Sequence, residues 1–95
     1  MDKFIDLKRV REIINEHIRL TVGEIEEGEP KITFAVREEW GLPPANGRVV
    51  WRINIEYTPK PKKPDEFSFT RTALFMIDAE TGDVLEFKEG YYWTS

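Results

Sequence analysis

Four carboxylates follow one another closely near residue 80, and their spacing could in principle hold a metal ion. Asp78, Glu80 and Glu89 match the first, third and twelfth positions of a calcium-binding loop. Gly82, however, comes one position earlier than that loop requires. The sequence does not support acid–base catalysis by a pair of these carboxylates either, and Asp83 is no exception. Successive side chains of a strand point to opposite faces, so the carboxylates do not converge on one point. We therefore interpret the carboxylates as turn residues.

Other catalytic arrangements lack the residues that they need. The chain has no cysteine, which excludes disulfides, thiolate metal sites and a cysteine nucleophile. His17 is the only histidine, and the sequence places no nucleophile, acid or further ligand beside it. No glycine-rich phosphate loop and no Ser–His–Asp arrangement occurs. We predict that the protein is not an enzyme, that it binds no cofactor or metal, and that His17 is partly buried.

Large aromatic side chains are better candidates for a binding site. Trp40 lies at the edge of a loop, and Tyr91, Tyr92 and Trp93 lie near the end of the chain. Exposed tryptophan and tyrosine are typical of protein interfaces and ligand grooves. We predict these four residues as the binding residues. The alternative is that the terminal segment folds over the sheet as a lid.

The element that comes first in the chain is predicted to be a helix. Leu7, Val10, Ile14 and Ile18 follow at steps of three and four residues, which is the period of an amphipathic helix, and Asp6 fits its N-cap. From Ile18 the apolar residues alternate instead, through Leu20 and Val22. We predict a first strand there that ends near Ile25, with a last helical turn as the alternative.

Alternation of apolar and polar residues predicts the later strands. It covers residues 31–37 and is clearest over residues 49–57, where Trp51 and Tyr57 share the phase of the core residues. Residues 67–77 are apolar on both faces, as expected of a central or covered strand, and the last strand is predicted over residues 83–87. Glycine and proline interrupt the pattern between these stretches. The sequence thus predicts an α+β fold with an N-terminal helix packed on an antiparallel sheet of four to five strands.

The stretch from Ile77 to Leu85 predicts a tight hairpin. Gly82 can adopt a positive φ, Asp78 can accept hydrogen bonds from turn amides, and Thr81 can do so more weakly. This stretch, apolar-apolar-Asp-Ala-x-Thr-Gly-Asp-Val-Leu, resembles the closing hairpin of PepSY-type domains. The resemblance implies a small α+β module with a helix before an antiparallel sheet. It also implies a role in binding or restraining a protease.

Length and charge limit the remaining possibilities. Ninety-five residues form one domain, residues 1–95. The net charge of −4 argues against nucleic-acid binding. No stretch has the apolar length of a membrane span, and charges interrupt the first residues, so they do not form a signal peptide. For a complete chain we predict a cytoplasmic protein, and abundant charge without cysteine is compatible with a thermophilic source.

The predicted function is a non-catalytic binding or regulatory module that recognises a protein partner, for which the resemblance implies a peptidase. One alternative is a small-molecule-binding domain with a pocket between helix and sheet and His17 near its mouth. Another is a homodimer paired through sheet edges, with no further chemistry.

Overall fold

The computed structural model describes residues 3–94 as one helix and one antiparallel sheet. The elements are α1 (Leu7–Thr21), β1 (Lys31–Trp40), β2 (Arg48–Tyr57), β3 (Arg71–Asp78) and β4 (Val84–Glu89). The strands lie in the order β1-β2-β3-β4, so each strand pairs with its neighbour in the chain. The predicted α+β architecture is confirmed, with four strands in the sheet. The described part of the chain contains no helix with the length and hydrophobicity needed to cross a membrane.

The helix begins where the sequence predicts and ends later. Asp6 caps it, since its Oδ1 accepts a hydrogen bond from the Arg9 amide at 2.9 Å. The amides of Val22 and Gly23 both donate to the carbonyl of Ile18, which closes the last turn. The predicted strand from Ile18 to Ile25 is therefore wrong.

Three alternating apolar residues were too weak a signal for a strand, because Ile18 also belongs to the buried stripe of the helix. Leu20 is 69% exposed on the helix surface. Ile25 forms only an isolated antiparallel bridge with Pro59. That bridge ties the segment after the helix to the loop that follows β2.

One face of the sheet, which we call the helix face, carries Ile53, Ile55 and Phe75 and packs against α1. The helix contributes Val10, Ile14 and Ile18, and all six side chains are at most 2% exposed. Alternate residues of a strand point to opposite faces, so the odd-numbered residues of β2 and β3 build this core. Trp51 and Tyr57 belong to it, as the alternation predicts.

The opposite face, which we call the tail face, carries Arg52, Asn54 and Met76. All three residues are buried even though no helix covers them. Ala45 from the β1–β2 loop and Trp93 from the segment after β4 pack on this side. This cover explains why β3 is apolar on both faces, as the sequence indicates for a central or covered strand.

The hairpin between β3 and β4 forms as predicted. Asp78 Oδ1 accepts hydrogen bonds from the amides of Glu80 (2.8 Å) and Thr81 (3.1 Å), and Gly82 has a φ of 82°. Strand β3 begins at Arg71, however, so the predicted start at Phe67 is wrong. Residues 67–70 are not paired into the ladder with β2, which ends at the pair Tyr57–Arg71.

Candidate functional site

The segment after β4, residues 90–94, which we call the tail, is fastened to the tail face through Trp93. The Trp93 amide donates to Asn54 Oδ1 at 2.6 Å, and Asn54 Nδ2 donates back to the Trp93 carbonyl at 2.8 Å. The indole Nε1 donates to the carbonyl of Phe75 at 2.9 Å. Asn54 is only 8% exposed, so this pair is shielded from competing water. At Trp93 the tail therefore folds over the sheet, which is the lid alternative of the sequence analysis.

Beside this anchor lies an arginine–aromatic cluster formed by Phe34, Trp40, Arg52 and Trp93. The guanidinium carbon of Arg52 is 4.6 Å from the Trp40 ring centroid and 5.3 Å from that of Trp93. The two indoles meet edge to face with their centroids 5.5 Å apart. Cation–π attraction of this kind is strongest when the cation is desolvated, and Arg52 is 9% exposed.

The charge of Arg52 is balanced by Glu38 from β1. Arg52 Nε donates to Glu38 Oε1 at 2.6 Å, and Nη2 contacts the same oxygen. The planar guanidinium can stack on indole rings while its edge donates to a carboxylate, which a lysine ammonium cannot do. The buried side chain of Arg52 thus joins β1, β2 and the tail.

The four predicted binding residues fall into two groups. Trp40 and Trp93 come together in the arginine–aromatic cluster and are partly buried. Tyr91 and Tyr92 remain 61% and 64% exposed on the tail, with the Lys88 ammonium 5.7 Å from the Tyr91 ring centroid. Only the two tyrosines are open to contact a partner directly, while the two tryptophans hold the tail in place.

Sequence reasoning missed Arg52 and Asn54. Both interrupt the most regular apolar alternation of the chain, on the face opposite Ile53 and Ile55. A solvent-facing role is the usual interpretation of polar residues at such positions. Their burial shows that a second layer covers this face. That burial becomes visible only when the position of the tail is known.

The carboxylates near residue 80 are used by the hairpin and by ion pairs. Asp78, besides accepting the turn amides, lies 3.4 Å from Arg48. Glu89 accepts from the Tyr57 hydroxyl at 2.7 Å and pairs with Arg71 at 3.4 Å. Burial, and then the hydrogen bond to Glu89, raise the pKa of Tyr57. Within residues 3–94 no group of three or more histidine, cysteine, aspartate or glutamate side chains is placed to hold a metal ion.

His17 packs between two aromatic rings of the helix face. Its centroid lies 5.2 Å from that of Phe75 and 4.7 Å from that of Phe87. Burial lowers the pKa of His17, and its Nε2 is buried without a hydrogen-bond partner among the described residues. The predicted partial burial is confirmed.

A cleft of about 560 Å³ opens beside the second half of α1. It lies between the helix and the segment that follows it, and its walls include Asn15, Arg19, Ile25 and Lys60. His17 borders a different and smaller depression of about 240 Å³. The cleft therefore lies at the end of the helix and away from the packed centre of the helix–sheet interface.

Models of protein families, curated protein sequences and solved structures gave no match to this chain. The fold and the contacts of the tail are consequently the basis for its functional interpretation.

Proposed function

We propose that this protein is a non-catalytic binding module that recognises a protein partner through Tyr91 and Tyr92. The observation that carries the proposal is the anchoring of the tail. Three hydrogen bonds fix Trp93 on the sheet, while the two preceding tyrosines stay more than half exposed. The tail thus presents two large amphipathic rings from a fixed base.

The physical advantage of this arrangement is preorganisation. Tyrosine is enriched among the residues that dominate binding energy, because its ring buries a large area and its hydroxyl forms a hydrogen bond. A flexible segment loses conformational entropy on binding, which weakens the complex. Anchoring at Trp93 removes part of that cost before the partner arrives.

The proposed partner is a peptidase. This choice rests on the resemblance of the hairpin from Ile77 to Leu85 to PepSY-type domains, whose implied role is to bind or restrain proteases. An exposed tyrosine pair on an anchored tail can contact the surface of such an enzyme. Restraint would then follow from occupation of the peptidase surface.

The test uses purified peptidases of the metallo and serine classes as probes. We expect the full chain to bind at least one of them in surface plasmon resonance and to lower its activity. Replacement of both tyrosines, Tyr91→Ser with Tyr92→Ser, should weaken binding about tenfold or more. The matched control is Leu20→Ser, which removes a similarly exposed apolar side chain from the helix.

Two results would count against the proposal in different ways. Equal binding by the tyrosine variant and the control would show that the contact surface lies outside the tail. Absence of binding to every peptidase of the panel would remove the peptidase from the proposal.

A small-molecule site in the cleft beside α1 is the second candidate function. The observation in its favour is Asn15 Oδ1, which is buried without a hydrogen-bond partner among the described residues and borders the cleft. Arg19 and Lys60 add positive charge to the walls, although each pairs with a glutamate and the walls also include Glu24 and Glu29. A small carboxylic acid with a donor for Asn15 would match these groups.

Titration of the protein with a panel of small carboxylic acids, followed by two-dimensional amide NMR, tests this candidate. Saturable shifts confined to the residues of the cleft would support it. If no amide signal shifts, or if the shifts are unchanged in Asn15→Ala, a small-molecule site in the cleft is excluded.

A further inference from the structure

The two most exposed large apolar side chains of the described chain lie together just before β3. Phe67 is 89% exposed and Phe69 is 78% exposed. They are separated by one residue, so in a strand-like backbone they share a face. Two phenylalanine rings in water lose the stabilisation that burial of such rings provides. A pair of this kind marks an interaction surface.

The backbone around these rings is also unpaired. Phe67, Ser68 and Phe69 form no hydrogen bond with any part of the described chain. Yet they lead directly into a central strand, and Thr70 still lies opposite Thr58, with the two hydroxyl oxygens 3.1 Å apart. The segment therefore leads into β3 without belonging to the strand, and its backbone is open to pairing with another strand.

The neighbouring strand β4 ends just where this open edge begins. Glu89 pairs with Ala73, and the amide of Gly90 donates to the carbonyl of Thr72 at 2.7 Å. From Gly90 onward the chain leaves the row of β4 and continues as the tail. Arg71 and the residues before it thus have no strand beside them on that side.

The sequence of this segment is self-complementary in an antiparallel register. With Ser68 opposite its own copy, Phe67 lies opposite Phe69 of the second copy, and Asp65 lies opposite Arg71. Opposed residues share a face, so each pair brings two rings, or two opposite charges, into contact. Because the arrangement is two-fold symmetric, each pair occurs twice.

We propose that the occupant of this edge is a second copy of the chain, joined by antiparallel pairing of residues 65–71 with Ser68 at the two-fold axis. The limits of the pairing follow from the chain itself. Pro64 has no amide hydrogen to continue the ladder, and the carbonyl of Thr72 already accepts from Gly90. Asp65 lies in a turn in which the Glu66 amide donates to the Lys63 carbonyl at 3.1 Å, so this turn must open when the dimer forms. Arg71 pairs with Glu89 at 3.4 Å, but its side chain remains 53% exposed and can reach Asp65 of the second copy. This dimer is independent of the proposed contact through Tyr91 and Tyr92.

Sedimentation velocity of charge variants provides the first test. The unaltered chain should form a dimer that dissociates on dilution. Asp65→Arg places two arginines opposite each other at two positions and should raise the dissociation constant about tenfold or more, as should Arg71→Asp with its opposed aspartates. The double variant Asp65→Arg with Arg71→Asp should restore the dimer, which a merely structural role of either residue would not produce. A monomeric wild-type chain up to its solubility limit would overturn the proposal.

Disulfide trapping provides the second test, because the chain contains no cysteine of its own. Ser68→Cys should form a covalent dimer under mild oxidation, since directly opposed strand residues lie within the Cα separation of a disulfide. Leu20→Cys, an exposed site on the helix, is the matched control and should remain largely monomeric. Equal cross-linking of both variants would show random collision and would overturn the register.

Both tests leave the two proposals distinguishable. Phe67→Ser with Phe69→Ser should abolish the dimer while Tyr91 and Tyr92 remain available to a partner. If this variant stays dimeric, the edge pairing is wrong whatever the peptidase panel shows.

Discussion

The two faces of the sheet are covered in different ways. The helix face is sealed by aliphatic side chains, with Val10, Ile14 and Ile18 packed on β2 and β3. The tail face is covered by the tail, which is held by directional contacts to Asn54 and Arg52. One face is stabilised by buried area and the other by hydrogen bonds, ring stacking and an ion pair.

This difference separates stability from function within one small domain. Apolar packing is non-directional and tolerates changes of partner, so it stabilises the fold without specifying a precise local geometry. Buried polar contacts cost free energy unless every group is paired, and they therefore fix the tail in one position. We infer that the helix face carries most of the free energy of folding, while the tail face positions the candidate binding residues.

The largest effect is expected when the helix face is broken. Phe75→Ala should lower the free energy of unfolding by about 3 to 5 kcal/mol, because the ring is fully buried and its loss leaves a cavity. Urea denaturation followed by circular dichroism measures the change. Leu74→Ala, the neighbouring residue on the tail face, is the matched variant and should cost about 2 kcal/mol. An equal cost of both would contradict the contrast between the faces.

Release of the tail should have a smaller effect on stability and a specific local signature. Asn54→Ala removes both hydrogen bonds to the Trp93 backbone and should cost about 2 kcal/mol. The Trp93 amide should then exchange its hydrogen much faster in NMR. Glu56→Ala, on the same strand and face, should leave that exchange unchanged. Continued protection of the Trp93 amide in Asn54→Ala would mean that ring packing alone holds the tail.

The fit between the hairpin and the helix can be tested at Gly82. Gly82→Ala should cost about 1 kcal/mol or somewhat more, because φ is positive and the new methyl group would lie 3.1 Å from Ile13 Cδ1. Gly41→Ala is the control, since Gly41 has neither a positive φ nor an atom within 4 Å of the added group. Thermal unfolding of both variants measures the difference. A neutral Gly82→Ala would show that the hairpin can move away from the helix.

The smallest effect concerns the pH dependence of the helix face. Burial lowers the pKa of His17, so the unfolded chain binds its proton more readily than the folded chain. The contribution of neutral His17 to the free energy of unfolding is therefore fully present above the histidine pKa of the unfolded chain, about 6.5. It is lost as the pH falls through the lower pKa of His17 in the folded chain. The stability of wild type should decline more steeply than that of His17→Gln between about pH 7 and pH 5. Parallel pH profiles in urea denaturation would contradict the expectation.

Much of the fold could be predicted because its signals are local. The helical period from Leu7 to Ile18, the alternation of residues 49–57 and the turn residues Asp78 and Gly82 each depend on a few neighbours in the chain. The end of the helix was mistaken for a strand because Leu20 and Val22 fit both periods over so short a stretch. Hydrogen bonds from Val22 and Gly23 to Ile18 decided between them.

The candidate site was predictable only in part. Tryptophan and tyrosine near the C-terminus drew attention through their residue type, but nothing in their spacing shows that Trp93 is an anchor and that Tyr91 and Tyr92 remain exposed. Arg52 and Asn54 lie about forty positions from Trp93, beyond the reach of local pattern reasoning. Their role appears only when the tail crosses the sheet.

The sequence by itself determined the helix, the four strands in outline and the β3–β4 hairpin of this protein, because helix period, strand alternation and turn chemistry are properties of neighbouring residues. The tertiary structure alone decided how the second face of the sheet is covered and which aromatic rings stay in water. The physical reason is that burial and hydrogen-bond pairing between distant residues depend on where the chain returns, and the local pattern of side chains does not encode that path.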